Sequence, residues 1–204
     1  NNVVIGSAAA DQITTQSYNV YVGVNSGRYI NGGGSNVAVG YGTMASSGTA
    51  ANNTALECVA IGNSVMAAIT TGGYNVGVGS NALNDITTGA KNIAIGVETL
   101  DALTTGGQNI AIGAHAMGTA DGDDSTALTG DYNVAVGAES LESLTTGAYN
   151  VSLGYQAGEA QIGSSSNTFV GGRAGTDITT GESNVAIGRD SLYTATTSGD
   201  NVCI

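Results

Sequence analysis

The sequence predicts an all-β fold, a parallel β-solenoid or β-roll of twelve coils, on three observations. A five-residue motif, in its clearest form Asn92-Ile93-Ala94-Ile95-Gly96, occurs twelve times. Nine of the eleven intervals between copies are 17 residues and the others are 22 and 24, and a fixed period of this size indicates stacked repeats. The motif alternates β-branched with small residues and ends in glycine, as a short strand entering a bend does. The copies begin at Asn2, Asn19, Asn36, Cys58, Asn75, Asn92, Asn109, Asn133, Asn150, Asn167, Asn184 and Asn201.

Each 17-residue coil is numbered here from the residue in the Asn place, as positions 1 to 17. We expect a strand at positions 2–4, a bend at the glycine of position 5, a second strand near positions 8–12, and a corner at positions 13–15, which read Thr-Thr-Gly in the best copies. Seventeen residues are too few for the helical hairpin repeats, which need 33 or more. Coils stacked about 4.8 Å apart give a rod section of roughly 50–55 Å.

The repeat runs through the whole chain, so residues 1–204 are expected to form a single repetitive segment. Two stretches lengthen a coil, near residues 46–51 and 118–128, without disturbing the period on either side. Solenoids accept surface loops in this way. The chain starts without Met and stops one residue before the next motif glycine, so we expect it to be a fragment of a longer fibre.

Composition excludes several classes of partner. The net charge is −12 with only four basic residues, so no basic stripe exists for nucleic acid, and an anionic membrane surface would repel the chain. No run approaches 18 apolar residues, so no membrane insertion is expected. The two cysteines, Cys58 and Cys203, are too few for a disulfide scaffold and are interpreted as small residues at repeat positions.

The charges follow the repeat. Of twenty charged residues, three lie in the second insertion and all others fall at position 6, 7, 10, 11, 16 or 17. Because charges are rarely buried unpaired, these positions are expected to form the solvent-facing edge of the coil.

Position 3 is small in most copies. Side chains alternate along a strand, so if the large residues at positions 2 and 4 fill the interior, position 3 points outward. A row of alanines on an outward face indicates a closely packed neighbouring surface, and we expect it to face sister chains of a homo-oligomer. The alanines are Ala38, Ala60, Ala94, Ala111, Ala135 and Ala186.

Two further residue types recur. Asn at position 1, present in eleven copies, is expected to form a hydrogen-bonded ladder, with a carbohydrate-binding row as the alternative. Seven Thr-Thr pairs are expected to stack at the corner, where Thr bonds backbone groups. A flat array of threonines would instead suit an ice-binding solenoid.

The motif Asn-Val-Ala-Ile-Gly-x-x-Ala-Leu is similar to the repeats of trimeric autotransporter adhesin heads (YadA-like). With its Thr-Thr-Gly corner it also resembles arrays common in tailed-phage fibre proteins. The resemblance covers the whole chain. It implies a left-handed parallel β-roll, three chains side by side around an axis, and attachment at a cell or virion surface. The adhesin heads use a shorter repeat, so the 17-residue period favours the phage-type arrays.

Catalysis finds little support, and we expect no enzyme, no cofactor, and no catalytic or metal-binding residues. The single histidine, His115, has no nucleophile at a fixed distance, and Glu139 and Glu142 are expected on a solvated face. The acidic insertion Asp121-Gly122-Asp123-Asp124 is considered as a Ca²⁺ site. It matches neither an EF-hand loop nor the calcium-binding nonapeptide, so a solvated loop is preferred.

Tyrosine recurs at position 17, as Tyr18, Tyr74, Tyr132 and Tyr149, and is expected either to pack at a corner or to stack on sugars. Two stretches match the glycosylation acceptor pattern, at Asn52 and Asn150.

These patterns predict a structural and adhesive fibre segment, a rigid homotrimeric rod located outside the cell, in a phage tail fibre or a bacterial surface adhesin. Its partners are its own copies and a cell-surface glycan or protein receptor. A self-assembling extracellular filament is the alternative, followed by an ice-binding solenoid.

Overall fold

The computed structural model describes residues 1–14, 16–46, 53–118 and 127–204, and over these residues the chain is a β-solenoid of about 11 turns. Each coil contributes one strand to a single parallel sheet whose strand order follows the sequence. The strands are β1 Val3–Ile5, β2 Val20–Val22, β3 Val37–Val39, β4 Val59–Ile61, β5 Val76–Val78, β6 Ile93–Ile95, β7 Ile110–Ile112, β8 Val134–Val136, β9 Val151–Leu153, β10 Thr168–Val170, β11 Val185–Ile187 and β12 Val202–Cys203. The predicted solenoid is confirmed.

Equivalent repeat positions stack directly on one another. Ile93 pairs with Ile110, and Ala94 pairs with Ala111. The same register holds across the longer coil between β3 and β4 and the one between β7 and β8. Much of the first insertion, and residues 119–126 of the second, lie outside the described residues. The predicted strand at positions 2–4 is confirmed in every coil but the last, where it is one residue shorter.

The second strand expected near positions 8–12 is absent from the described coils. Positions 7 and 9 both take left-handed backbone conformations, as in Glu98 and Leu100 with φ of 52° each. Two left-handed residues separated by a single residue prevent an extended strand from forming there. The backbone still bonds between coils, as from the Leu83 N–H to the Thr99 carbonyl at 3.0 Å, so this wall is a stack of turns.

The alanines at position 3 point into the coil and not outward. Ala38, Ala60, Ala94, Ala111, Ala135 and Ala186 are all fully buried within the single chain. The prediction that they face sister chains is therefore wrong. They are small because the coil interior is narrow: Leu or Met at position 9 and Ile or Leu at position 12 fill it from the opposite wall, as Leu100 and Leu103 do in one coil.

Two coils show how positions 3 and 9 share this volume. Position 3 holds Tyr21 in the second coil and Phe169 in the tenth, both fully buried. Position 9 of the same coils is Gly27 and Gly175, and a Cβ at Gly175 would overlap the Phe169 ring at 2.7 Å. An aromatic ring on one wall replaces the leucine of the other, so the packed volume stays nearly constant.

The core is divided at the ninth coil. There position 3 is Ser152 and position 12 is Gln161, both fully buried. The Gln161 amide donates to the Ser164 hydroxyl at 2.8 Å. The aliphatic core ends at Leu144 of the eighth coil, and a second cluster around Phe169 begins at Ala157 of the ninth.

The asparagines of position 1 form a buried ladder, as predicted. Asn109 is a typical member: its backbone N–H donates to Asn92 Oδ1 at 3.0 Å, and its Nδ2 donates to the same oxygen at 3.2 Å. The Nδ2 also donates to the Gly130 carbonyl at 2.8 Å. Each side chain thus ties its own coil to the one below and closes the corner.

Cys58 interrupts this ladder. It keeps the bond to the coil below, since its N–H donates to Asn36 Oδ1 at 3.0 Å. Above it, the backbone and side-chain N–H groups of Asn75 meet the Cys58 sulfur, which is a weak acceptor. Burial raises the pKa of the Cys58 thiol, so the group stays protonated and unreactive.

Cys58→Asn should therefore stabilise the fold. The new Oδ1 would accept from Asn75 as the other ladder oxygens do, and its Nδ2 would reach the Gly72 carbonyl that the thiol now approaches at 3.7 Å. We expect a gain of about 1–2 kcal/mol in the free energy of unfolding, measured by urea denaturation. Cys58→Ala is the control, since it removes the thiol without completing the ladder; an equal gain from both variants would contradict this explanation.

Candidate functional site

The outward side of the sheet is a long aliphatic surface, here called the Val/Ile face. Because position 3 points inward, positions 2 and 4 point outward, and their larger members are substantially exposed: Ile95 is 40% and Ile112 38% exposed. Thr168 is its one polar member. The face consists of Val3, Ile5, Val20, Val22, Val37, Val39, Val59, Ile61, Val76, Val78, Ile93, Ile95, Ile110, Ile112, Val134, Val136, Val151, Leu153, Thr168, Val170, Val185, Ile187, Val202 and Ile204.

The tyrosines of position 17 lie on the surface and are not packed into a corner. Each has a left-handed backbone conformation, with φ between 58° and 65°. Tyr18 is the most exposed of them at 69%. Tyr132 and Tyr149, one coil apart, stack with ring centroids 5.0 Å apart and an angle of 7° between planes. Exposed ring faces of this kind suit the apolar faces of sugars.

Two shallow depressions adjoin this tyrosine column. One, of about 440 Å³, lies between Tyr18 and Glu57 over a floor that includes Gly33 and Gly34. Another, of about 280 Å³, is lined by Lys91, Tyr132 and neighbouring corner residues. Both are open to solvent and lack the enclosed apolar lining of a typical small-molecule site.

The corner threonines divide into two columns. Those at position 13 bond the next coil, as Thr70 Oγ1 does to the Thr87 carbonyl at 2.9 Å. Those at position 14 are exposed in six consecutive coils: Thr54, Thr71, Thr88, Thr105, Thr129 and Thr146. In these six described coils the position 13 threonines are half-buried, so the exposed threonines at this corner form a line and not a flat array.

Along the charged edge, side chains of adjacent coils form ion pairs. Arg173 pairs with Asp190 at 2.6 Å and His115 Nδ1 lies 3.5 Å from Glu98 Oε2, each pair at position 7. Burial, and then repulsion from Glu139 and Asp177, raises the pKa of the Glu159 carboxyl. One residue departs from the predicted solvent edge: Asp101 is only 7% exposed, and its carboxylate accepts from the Ala102 N–H at 3.1 Å.

The residues considered for catalysis or metal binding are not brought together. His115 contacts Glu98 on the surface, while Glu139 accepts from Gln156 Nε2 at 2.8 Å. The acidic insertion from Asp121 to Asp124 lies outside the described residues. Among the residues that are described, no group of three or more His, Cys, Asp or Glu side chains could hold a metal ion.

The described residues also contain no helix that is long and apolar enough to cross a membrane.

The fold buries the acceptor asparagine of one of the two glycosylation patterns. Asn150 is fully buried, and its Nδ2 donates to Asn133 Oδ1 at 3.1 Å and to the Ser164 carbonyl at 2.8 Å. Its amide is therefore inaccessible in the folded chain. Asn52, which begins the other pattern, lies outside the described residues.

Comparison with family models, with curated proteins and with solved structures gave no match for this chain. The function is therefore argued from the geometry of the solenoid and its surfaces.

The sequence predicted the ladder, left the tyrosines between corner packing and an exposed role, and wrongly assigned the Val/Ile face to the interior. The sequence does contain a signal that position 3 faces the interior. Tyr21 and Phe169 at position 3 occur in coils whose position 9 is glycine, and a size exchange of this kind indicates two positions that share one interior.

Proposed function

We propose that this chain is a structural segment of an extracellular attachment fibre, a stiff homotrimeric rod in a phage tail fibre or a bacterial surface adhesin. The observation that carries the proposal is the single sheet from β1 to β12, with strand order following the sequence throughout. A fibre segment needs a straight element whose length grows with the number of repeats, and stacked coils supply it.

The contacts between coils suit a mechanical role. Backbone hydrogen bonds link every described coil to the next, as from Val76 N–H to the Asn92 carbonyl at 2.8 Å. The Asn ladder adds side-chain bonds within the interior, where they are shielded from water. Bending the rod would require breaking several of these bonds in one step, so the segment resists bending.

The surface is suited to contact with a receptor along its length and not to a deep binding site. The exposed rings of Tyr18, Tyr74, Tyr132 and Tyr149 offer faces to a cell-surface glycan, and a protein receptor is the other candidate. The net charge of −12 disfavours nucleic acid as a partner.

Immunogold labelling tests this proposal. Antibody raised against the purified chain should label fibres on virions or on the outside of bacterial cells from the source culture. Label confined to the cell interior would contradict it. Light scattering separates the fibre segment from a self-assembling filament, because a trimer has one mass of three chains whereas a filament grows with protein concentration.

Ice binding is a further candidate, ranked after the self-assembling filament, and the exposed threonines in six consecutive coils favour it. A thermal-hysteresis measurement on the purified chain decides it. Since the threonines form a single column, we expect no hysteresis, and a clear hysteresis gap would make this the better explanation.

A further inference from the structure

The Val/Ile face is a long, uniform and uncharged strip along the surface of the solenoid. Eleven steps of about 4.8 Å make it roughly 53 Å long, and with a width of about 10 Å it covers roughly 500 Å² on each chain. None of the twenty charged residues falls at positions 1–5. Contiguous apolar patches of this size mark interaction surfaces.

We propose that the Val/Ile face is where copies of this chain pack against each other, side by side and parallel. This inference deepens the proposed fibre function and rests on it. The alanines of position 3 cannot form this interface because they are buried inside each coil. The aliphatic columns of positions 2 and 4 form it in their place. Two copies in face-to-face contact would bury about 1,000 Å², the lower limit for a specific interface, and three copies in a ring would bury about 1,500 Å² over their three contacts together.

The period of the face favours a second copy over an unrelated partner. Its side chains repeat once per coil, in register from β1 to β12. Only a surface with the same rise can interdigitate with it over its full length. A partner with any other spacing would fall out of step within a few coils and leave voids, which cost packing energy. Another copy of this chain has the matching spacing by identity.

The edges of the face indicate the parallel orientation. Around a rotation axis along the rod, position 17 of one copy lies beside positions 6 and 7 of its neighbour at the same height. Lys91 then lies beside Glu98, an attractive pair. Elsewhere in the described coils, no two like charges meet across this edge: Glu57 lies beside Ser64, and Gln108 lies beside His115. Complementary edges set the orientation of an interface.

The face is also narrow enough for three chains to converge. Each strand presents two outward columns, so the position 2 column of one copy can contact the position 4 column of the next in a closed ring. The number of chains is tested separately from the surface they use, because a discrete dimer through this face would contradict the proposed trimer and leave the inference standing.

The test replaces two adjacent members of the face by glutamate. In Ile95→Glu/Ile112→Glu, charges would be buried against sister chains, and we expect the apparent dissociation constant, measured by sedimentation equilibrium, to rise at least about 100-fold. The matched control is Thr88→Glu/Thr105→Glu, which places two glutamates one coil apart on the exposed corner and should leave association unchanged. Circular dichroism confirms that both variants remain folded.

A cross-link tests the orientation without depending on those variants. A mixture of Val185→Cys and Ile187→Cys chains, both also carrying Cys203→Ser, should form disulfide-linked pairs on mild oxidation, because positions 2 and 4 of neighbouring copies meet at equal height in a parallel assembly. Thr180→Cys in the same background is the off-face control and should remain unlinked. The inference would be overturned if the unaltered chain were monomeric at high concentration. It would also be overturned if the glutamate and cysteine variants behaved like their controls, or if the glutamate variant abolished a thermal hysteresis that the unaltered chain showed.

Discussion

Gly79→Ala is expected to lower the free energy of unfolding by about 4 kcal/mol or more, a large fraction of the roughly 5–15 kcal/mol that stabilises a typical domain. Gly79 occupies the bend at position 5 with φ of +139°, a conformation that L side chains rarely adopt. A Cβ there would also overlap the carbonyl oxygen of Gly96 in the next coil. Both strain and a clash with backbone oppose the substitution, and the clash cannot be relieved without separating the coils.

Two other glycines separate these contributions. Gly188 has φ of +118° with nothing near the added Cβ, so Gly188→Ala reports backbone strain alone, about 1–3 kcal/mol. Gly172 has open space and no positive φ, so Gly172→Ala should change stability by less than about 0.5 kcal/mol. Urea denaturation at one fixed protein concentration measures all three, since association also stabilises the folded state. Equal effects from the three variants would show that coil-to-coil contact at position 5 is unimportant.

Asn92→Ala is expected to cost about 3–5 kcal/mol of stability. The Asn92 Oδ1 accepts from the backbone N–H of Asn109 at 3.0 Å and from its Nδ2 at 3.2 Å. The Asn92 Nδ2 donates to Asn75 Oδ1 at 3.1 Å and to the Gly106 carbonyl at 3.0 Å. Removing the side chain leaves buried backbone groups of Asn109 and Gly106 without these partners.

The matched control is the last rung of the same ladder. Asn201 donates to Asn184 Oδ1 and to the Gly199 carbonyl, but it is only partly buried, and solvent can replace the lost bonds. Asn201→Ala should therefore cost no more than about 1 kcal/mol. Thermal unfolding followed by circular dichroism compares the two variants, and a loss at Asn201 as large as that at Asn92 would argue against burial as the source of the effect.

The sequence was sufficient to predict the solenoid. A period of 17 residues in nine of eleven intervals places equivalent residues of stacked coils side by side, and the strands lie at positions 2–4 as expected. The Asn ladder was also predictable, because identical amides one coil apart can satisfy one another. These features depend on local pattern and repetition, which any single coil already contains.

The absence of a second strand from the described coils could not be predicted from the residue pattern alone. Positions 9 and 12 carry aliphatic residues, but positions 7 and 9 adopt left-handed conformations in most coils, including at Glu98 and Leu100. Such conformations cost a non-glycine residue about 1 kcal/mol or more. They are imposed by closure of the coil, which must turn its chain back within 17 residues.

Sequence alone therefore determined the period, the strand positions and the ladder, whereas the tertiary structure decided which side of each strand faces inward. A three-residue strand can place either Ala94 or its neighbours Ile93 and Ile95 inside, and reversing it exchanges the two sets. The choice depends on the volume left by the opposite wall, where Leu100 and Leu103 already fill the narrow interior. Only a small residue fits beside them, so the larger residues are left on the outer face.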